Sequence, residues 1–368
     1  WVGVIGSVLC AVAIYAYVKR IRSDILLMKL FLYVWGIRCG YSVNIYNADT
    51  IDSSTLKRIL RHEEKGFFFE HSVSRKAWLP LFSLESEDGG RWMRMKRILV
   101  RAMTGTNAQM IPSIVGRHMR PIHTCEDISE IVCRTMFEFV FQSELLPEDI
   151  AVFHTASMEW RKEIGMKGVA DEKVKLEFIN LIEKSIPQEY FDMTDDRMEV
   201  VSAFAQPFFI SPMINVSDIL TGISDLYDIK ETLTPVKTMI HHALIHHPPF
   251  PMLERRTGER EQSYIMLFPS GDTCRLCGVS NSEISPEMFG YGTRKCAGIT
   301  IAHYMIDAIV TQIKIQNLEF HPENGNMYSG RLNDSTTTRE ANLFLLRTMC
   351  RVLWEGCPYG GTEKYRGI

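Results

Sequence analysis

The chain has 368 residues, of which 46% are hydrophobic and 23% are charged, and its formal net charge is -3. This composition is that of a globular protein with a substantial core, and the near-neutral charge argues against nucleic acid as a main partner. Nine cysteines without regular spacing favour a reducing compartment over a disulfide framework. Because the chain begins with Trp1 rather than Met, we expect it to be a fragment.

The N-terminus carries an apolar run. Trp1 to Val18 is interrupted only by Ser7 and by glycines, and the basic cluster Lys19-Arg20-Ile21-Arg22 follows at once. We predict a membrane anchor over 1–22 with its C-terminal side in the cytoplasm, and a single domain over 23–368. A second apolar stretch, Ile25 to Ile37, is too short to span a membrane. It fits an interfacial helix and a buried core helix equally well.

A basic amphipathic helix is predicted after the turn at Asp88-Gly89-Gly90. It places Trp92 and Lys96 one turn apart on the same face. The chain from Gln109 to Glu199 has a helical pattern, and Asp127 to Phe141 reads as a core helix.

The segment Gln206 to Asp218 is apolar and contains two prolines. Pro207 and Pro212 should kink or break a helix at this point, because proline lacks the N–H of the helical ladder.

Two sets of residues have partial metal-site spacing. His241, His242, His246 and His247 could place two imidazoles one helical turn apart, but no further ligand stands at a suitable distance along the chain. Cys274 and Cys277 form a lone pair of thiols, which is half of a zinc site. Neither set favours metal binding over a structural role.

The stretch Phe289-Gly-Tyr-Gly-Thr-Arg-Lys-Cys-Ala-Gly298 surrounds one thiol with a cation, glycines and an aromatic ring. An apolar run at helical spacing follows it and predicts a helix to about Gln316. Cations and helix N-termini lower a thiol pKa, so we expect Cys296, near Arg294, to be a stable thiolate. Gly292 and Gly298 would let the backbone approach a flat cofactor, and Phe289 would shield the sulfur.

This stretch resembles the haem-binding signature of the cytochrome P-450 family at all five fixed positions: Phe289, Gly292, Arg294, Cys296 and Gly298. The resemblance implies a mainly α fold with small β-sheets, haem b as cofactor and Cys296 as the proximal ligand of the iron. The alternative is a buried cysteine at a helix start.

The resemblance also implies residues that bind the haem propionates. Trp92 and Lys96 match a tryptophan followed four residues later by a cation, although the family usually has arginine there. Arg97 could share that role. After the passage with Pro248, Pro249 and Pro251, the family has another propionate-binding arginine, for which Arg256 is the first choice and Arg255 the second.

The central segment departs from the pattern of family monooxygenases. They usually have an acidic residue followed by threonine, which handle protons during dioxygen cleavage. Ile214 and Asn215 stand at those positions, so Asn215 is our candidate catalytic residue. Some members that rearrange peroxides have asparagine near this point.

A second departure concerns the family's structural Glu-x-x-Arg pair, for which this chain has His242 and Ile245. The Pro-x-Gly turn matches the segment from Phe268 to Thr273, but the meander after it is short. These departures leave open a remnant without catalysis.

The resemblance implies a membrane-bound monooxygenase that acts on a lipophilic small molecule with electrons from an NADPH-dependent flavoprotein reductase. It would be anchored in the endoplasmic reticulum, with the catalytic domain in the cytosol. A peroxide-rearranging isomerase and an inactive haem-binding or haem-free remnant are the alternatives.

Overall fold

The structure is a computed structural model that describes residues 23–48, 50–66, 70–71, 74–164, 169–246, 248–249, 252–267 and 289–323. Helices dominate these residues, as the sequence predicts. In chain order they are α1 Ser23–Cys39, α2 Ser53–Leu60, α3 Arg75–Trp78, α4 Gly89–Thr104, α5 Ile111–His118, α6 Cys125–Phe141, α7 Pro147–Ile164, α8 Glu172–Ser185, α9 Gln188–Phe191, α10 Arg197–Leu226, α11 Val236–His246 and α12 Ile299–Gln316.

Two small sheets accompany the helices. Strands β1 (Ser42–Asn47), β4 (Glu261–Met266) and β3 (Met252–Gly258) form one sheet in that order, parallel between β1 and β4 and antiparallel between β4 and β3. Strands β2 (Ile122–Thr124) and β5 (Phe320–Glu323) pair in parallel. The predicted mainly α fold with small sheets is therefore confirmed for the described residues.

Local sequence explains where the best-formed helices begin. Thr124 and Asp127 form a reciprocal capping box that starts α6, satisfying N–H groups that have no partner inside the helix. The predicted core helix Asp127 to Phe141 lies within α6. The predicted helix after Cys296 is α12, which ends at Gln316.

The long helix α10 forms the centre of the core. Phe204 and Phe209 are buried and stack with Phe141 of α6 at ring distances of 6.0 and 5.8 Å. Below them, Arg161 of α7 and Asp218 of α10 form a buried ion pair that fixes the two helices together. These close-packed contacts hold α10 in a fixed place against α6 and α7. The segment of α10 that faces the cavity described below is therefore held in place as well.

The two prolines do not break α10. The segment Ala205–Ile210 around Pro207 adopts a π-helical turn, and the α-helix continues from Ser211 through Pro212. A π-turn shifts the hydrogen-bond ladder by one residue, which accommodates a residue without an N–H. The expected break at the prolines is therefore wrong. The helix is continuous and widens locally at the π-turn.

The apolar stretch Ile25 to Ile37 lies within α1. Leu32 and Trp35 are fully buried, whereas Tyr33 and Ile37 are exposed, so one side of the helix packs on the protein. The predicted anchor over 1–22 lies outside the described residues.

Two helical stretches among the described residues, Arg197–Leu226 and Gly292–Gln316, are long and apolar enough to cross a membrane. The first is mostly buried inside the protein, as expected of a core helix.

Several expectations fall outside the described part of the chain. These are the turn from Phe268 to Thr273, the thiols of Cys274 and Cys277, Pro251 and the shortened meander.

Candidate functional site

One cavity brings most of the predicted site residues together. It lies between α4, α10, α12 and β3 and has a volume of about 360 Å³, within the range of cofactor and small-molecule pockets. Its lining includes the predicted residues Trp92, Lys96, Asn215, Phe289, Arg294, Cys296 and Gly298. Arg97, Gly292 and Arg256 are not among the lining residues.

Cys296 presents its side chain to this cavity just before the N-terminus of α12. The Cys296 side chain is exposed, and its backbone N–H donates to the carbonyl of Phe289 at 2.7 Å. That hydrogen bond closes the loop that carries the sulfur. Phe289 also lines the cavity, and its ring lies 5.7 Å from that of His303.

Opposing effects act on the Cys296 thiol. The surrounding protein removes water and raises the pKa of this thiol, even though the side chain is open to the cavity. The backbone N–H groups of Gly298 and Ile299 hydrogen-bond to the sulfur, and these bonds and Lys295 favour the thiolate. The expectation of a lowered pKa is therefore corrected. Burial therefore favours the protonated thiol over the thiolate.

Arg294 has a different role from the one expected. Its guanidinium donates to the carbonyls of Glu63, Leu84 and Glu87 at 2.8, 3.2 and 2.9 Å and forms an ion pair with Asp88. Only 4% of the side chain is exposed. Arg294 thus ties the cysteine loop to the segment before α4, and Lys295 is the cation that acts on the thiol.

Trp92 and Lys96 lie together in the cavity wall, as the one-turn spacing predicts. The ammonium of Lys96 is 4.7 Å from the centroid of the Trp92 ring, and it donates to the carbonyl of Thr293. Burial and the nearby Arg294 lower the Lys96 pKa. Arg97 is exposed on the outside of α4, because adjacent residues on a helix point about 100° apart. The structure therefore places Arg97 outside the cavity lining, and its shared role in propionate binding gains no support.

The choice between Arg255 and Arg256 is reversed in the structure. Arg256 pairs with Glu64 at 3.0 Å and points away from the cavity, whereas Arg255 lines it. Successive side chains of β3 point to opposite faces of the sheet, so only one of the two can face the cavity.

Arg255 faces the cavity as a buried cation. It is 2% exposed, and its Nε atom has no hydrogen-bond partner. Burial lowers the pKa of Arg255 to about 10. A buried donor without a partner is costly, so this atom indicates a place for an acceptor supplied by a ligand.

The two signature glycines, Gly292 and Gly298, differ in what an added Cβ atom would meet. A Cβ on Gly298 would lie 3.9 Å from the Cys296 sulfur. Gly292 has a φ of +70°, and a Cβ on it would lie 3.6 Å from the Arg61 Cα instead of facing the cavity. Gly292 therefore serves the turn of the loop, and its expected approach to the cofactor is corrected.

The cavity also contains polar residues that the sequence reasoning missed. Glu85, Gln206, Lys65 and Glu70 line it on the side of α10 and of the segment before α4. The Gln206 amide donates to Glu85 at 2.7 Å. No spacing in the sequence links these positions, because they come from three separate parts of the chain.

The positions of the missing Glu-x-x-Arg pair hold a histidine that contacts Tyr227 and a buried isoleucine. The His242 ring stacks on Tyr227 with centroids 5.9 Å apart, and its Nδ1 hydrogen-bonds to the Tyr227 hydroxyl. Ile245 is buried. No group of three metal-ligating side chains occurs among the described residues, so the zinc reading gains no support from them.

The residues present fit a haem group. A thiol with two backbone N–H groups aimed at its sulfur can serve as an axial ligand. Arg255 and Lys96 supply cations for carboxylates, and the unpartnered Nε of Arg255 is satisfied by such an acceptor. Gly298 keeps the space beside the sulfur clear.

Comparison with solved structures gives similarity to cytochromes P-450. A 6-coordinated cytochrome P-450 from Thermus thermophilus is 13% identical, with 72% of this chain and 82% of that chain covered and a TM-score of 0.48. A mutant of P-450 EryK in complex with erythromycin B is 12% identical, with 74% and 82% covered and a TM-score of 0.49.

Ligand-free cytochrome P-450 TbtJ1 is 12% identical, with 79% of this chain and 90% of that chain covered and a TM-score of 0.48. No family model and no curated protein matches the chain. The functional argument therefore rests on the residues of the cavity.

Proposed function

We propose that the chain is a haem-thiolate monooxygenase. The observation that carries this proposal is one cavity that contains both the Cys296 sulfur, approached by two backbone N–H groups, and the buried guanidinium of Arg255. The Nη1 of Arg255 donates to the Glu254 carbonyl at 2.8 Å, and its Nε has no hydrogen-bond partner. A thiolate and a carboxylate-binding cation on one cavity are what a haem with propionates requires.

Each residue would have a defined part in holding the haem. Cys296 would bind the haem iron, Arg255 and Lys96 would pair with the propionates, and Trp92 would hold Lys96 in place. When bound, the haem supplies the activation of dioxygen that no side chain provides. With the haem in place, Phe289 and the surrounding apolar residues would exclude water from the sulfur.

The rest of the cavity wall supports a lipophilic substrate. Leu84, Leu99, Met136, Phe208 and Ile219 line it, so most of the surface offered to a ligand is apolar. Electrons would come from an NADPH-dependent flavoprotein reductase. The proposal also places the domain in the cytosol, anchored in the endoplasmic reticulum membrane by residues 1–22. Fractionation of cells that express the protein with or without residues 1–22 tests the anchor.

The carbon monoxide difference spectrum tests the proposal. The purified protein, reduced and treated with carbon monoxide, should show the Soret shift of thiolate-ligated haem, and Cys296→Ala should abolish it. Cys39→Ala is the matched control, since Cys39 carries a thiol away from the cavity, and it should keep the spectrum. A protein that takes up no haem, or a Cys296→Ala variant with an unchanged spectrum, would refute the thiolate site.

Asn215 supports a second candidate. Its amide lines the cavity where a threonine would be expected, and an amide is a poor proton relay. Rearrangement of a lipid peroxide needs neither dioxygen nor a reductase. Turnover of a fatty-acid hydroperoxide without NADPH would favour the isomerase, and NADPH-dependent hydroxylation would favour the monooxygenase.

A further inference from the structure

Glu85 and Gln206 join two segments at the edge of the cavity. Glu85 belongs to the connection between α3 and α4, and Gln206 belongs to the π-turn of α10. The Gln206 Nε2 donates to Glu85 Oε2 at 2.7 Å, while the Gln206 Oε1 accepts from the Leu84 N–H at 2.7 Å. Gln206 is 1% exposed, so both bonds are shielded from water. The carboxyl group is therefore held at a fixed place in the cavity wall.

The side chain that contacts Glu85 lies in the π-turn of α10. In the π-turn each residue is rotated relative to its place in a regular α-helix, because the ladder bonds skip one more residue. The turn thus sets how the side chain of Gln206 is directed, and Gln206 lines the cavity together with Asn215 further along α10. The proline-containing segment, which the sequence presents as a helix breaker, thus carries the residue that contacts Glu85.

The electrostatic surroundings keep this carboxyl group close to its midpoint at neutral pH. Burial, and then the nearby Glu70, raise the pKa of Glu85 to about 7, while Lys65 and the Gln206 amide oppose the rise. Lys65 is itself paired with Glu70 at 3.2 Å. Glu85 and Cys296 both line the cavity.

We propose that Glu85, positioned by Gln206, is the acid that supplies protons in this cavity, in place of the acid and threonine that α10 lacks at Ile214 and Asn215. This inference rests on the monooxygenase function proposed above. Both Ile214 and Asn215 line the cavity, and neither can release a proton there, whereas the carboxyl group of Glu85 can.

The proton balance of hydroxylation defines what the acid does. A substrate R–H, dioxygen, two electrons from NADPH through the reductase and two protons give R–OH and water. The Glu85 carboxyl would pass its proton to the oxygen atom that leaves as water and regain one from solvent. An acid whose pKa is near the working pH is present in both forms, which suits a repeated donor.

Glu85→Gln is the principal test, because glutamine keeps the size and the hydrogen-bonding capacity of the side chain but cannot release a proton. Gln206→Met removes the positioning amide with little change of volume. Glu144→Gln, at an exposed position far from the cavity lining, is the matched control. All are measured as the haem-loaded protein with its reductase, for the carbon monoxide spectrum, NADPH consumption, product and hydrogen peroxide.

We expect Glu85→Gln to keep the thiolate-type spectrum and to consume NADPH within about twofold of the wild type, while product per NADPH falls at least about tenfold and hydrogen peroxide rises. When no acid delivers a proton to the oxygen atom that leaves as water, the O–O bond stays intact. Dioxygen then takes two electrons from NADPH through the reductase and two protons from water, and leaves as hydrogen peroxide. Glu144→Gln should behave as the wild type.

A readout that is independent of turnover is the infrared band of the protonated carboxyl group. It should titrate near pH 7 in the wild type and be absent from Glu85→Gln. In Gln206→Met the midpoint should rise, because the amide hydrogen bond favours the ionised form. A purely structural role of Gln206 would not move this midpoint.

The outcomes separate the inference from the proposed function. If the wild type shows the thiolate spectrum and NADPH-dependent product but Glu85→Gln retains wild-type coupling, the acid is elsewhere and the monooxygenase stands. An unmoved infrared midpoint in Gln206→Met would overturn the positioning role. If the wild type lacks the spectrum or the product, the proposed function fails and the inference with it.

Discussion

The guanidinium of Arg294 lies over the ring of Trp92, 4.1 Å from the ring centroid. The contact joins the cysteine loop to α4, and the same guanidinium bonds to three carbonyls and to Asp88 in the preceding segment. Arg294 is thus the main connection between two walls of the cavity.

Arg294→Ala should lower the free energy of unfolding by about 2–4 kcal/mol, because three carbonyls and the half-buried Asp88 carboxylate lose the donors of Arg294. Arg97→Ala, on the exposed side of α4, should change it by no more than about 0.5 kcal/mol. Urea unfolding of the haem-free protein measures both. Equal stabilities of the two variants would show that Arg294 does not hold the loop.

The neighbouring arginines of β3 should differ in their effect on haem retention. Arg255→Met should increase the rate of haem loss to a scavenger apoprotein by about 10- to 100-fold, the value of one or two charge-assisted hydrogen bonds. Arg256→Met should leave this rate unchanged, since its partner is Glu64 outside the cavity. Faster haem loss from Arg256→Met than from Arg255→Met would show that Arg256, the first choice from the sequence, binds the haem.

His242 and Ile245 stand where the Glu-x-x-Arg ion pair is missing, and restoring the pair at these positions should have a measurable effect on stability. Ile245→Arg alone should destabilise the protein by about 3 kcal/mol or more, because it buries a charge without a partner. Adding His242→Glu should recover about 1–3 kcal/mol, since residues three apart on α11 are neighbours. A double-mutant cycle of urea unfolding measures the coupling. Additive effects would mean that this part of α11 no longer accommodates the pair.

The raised pKa of Glu85 predicts a pH dependence of stability. The folded-state value of about 7 lies above the 4.5 of an ordinary glutamate, so the folded protein binds this proton more tightly than the unfolded chain does. Ionising Glu85 therefore weakens the fold, and stability contributed by the protonated form is lost as the pH rises from about 4.5 to about 7.

Relative to Glu85→Gln, the wild type should lose at most about 3 kcal/mol between pH 5 and pH 8. Urea unfolding of both proteins at the two values measures the difference. A wild type that gains stability over this range relative to the variant would contradict the raised pKa.

The sequence by itself determined the elements whose signals are local. The capping box at Thr124, the apolar periodicity after Cys296 and the one-turn spacing of Trp92 and Lys96 all correspond to observed features. Each depends on residues within a few positions of one another, and helical geometry translates that spacing directly into a shared face.

Only the tertiary structure decided which cations face the cavity and which groups surround the sulfur. Arg255 rather than Arg256 faces the cavity because the register of β3 against β4 sets which face of the strand is inside. A shift of one residue would reverse the two faces. The pairing of Glu85 with Gln206, the raised thiol pKa and the role of Arg294 arise from segments far apart in sequence. Burial and charge act through space, so a linear pattern of residues does not contain them.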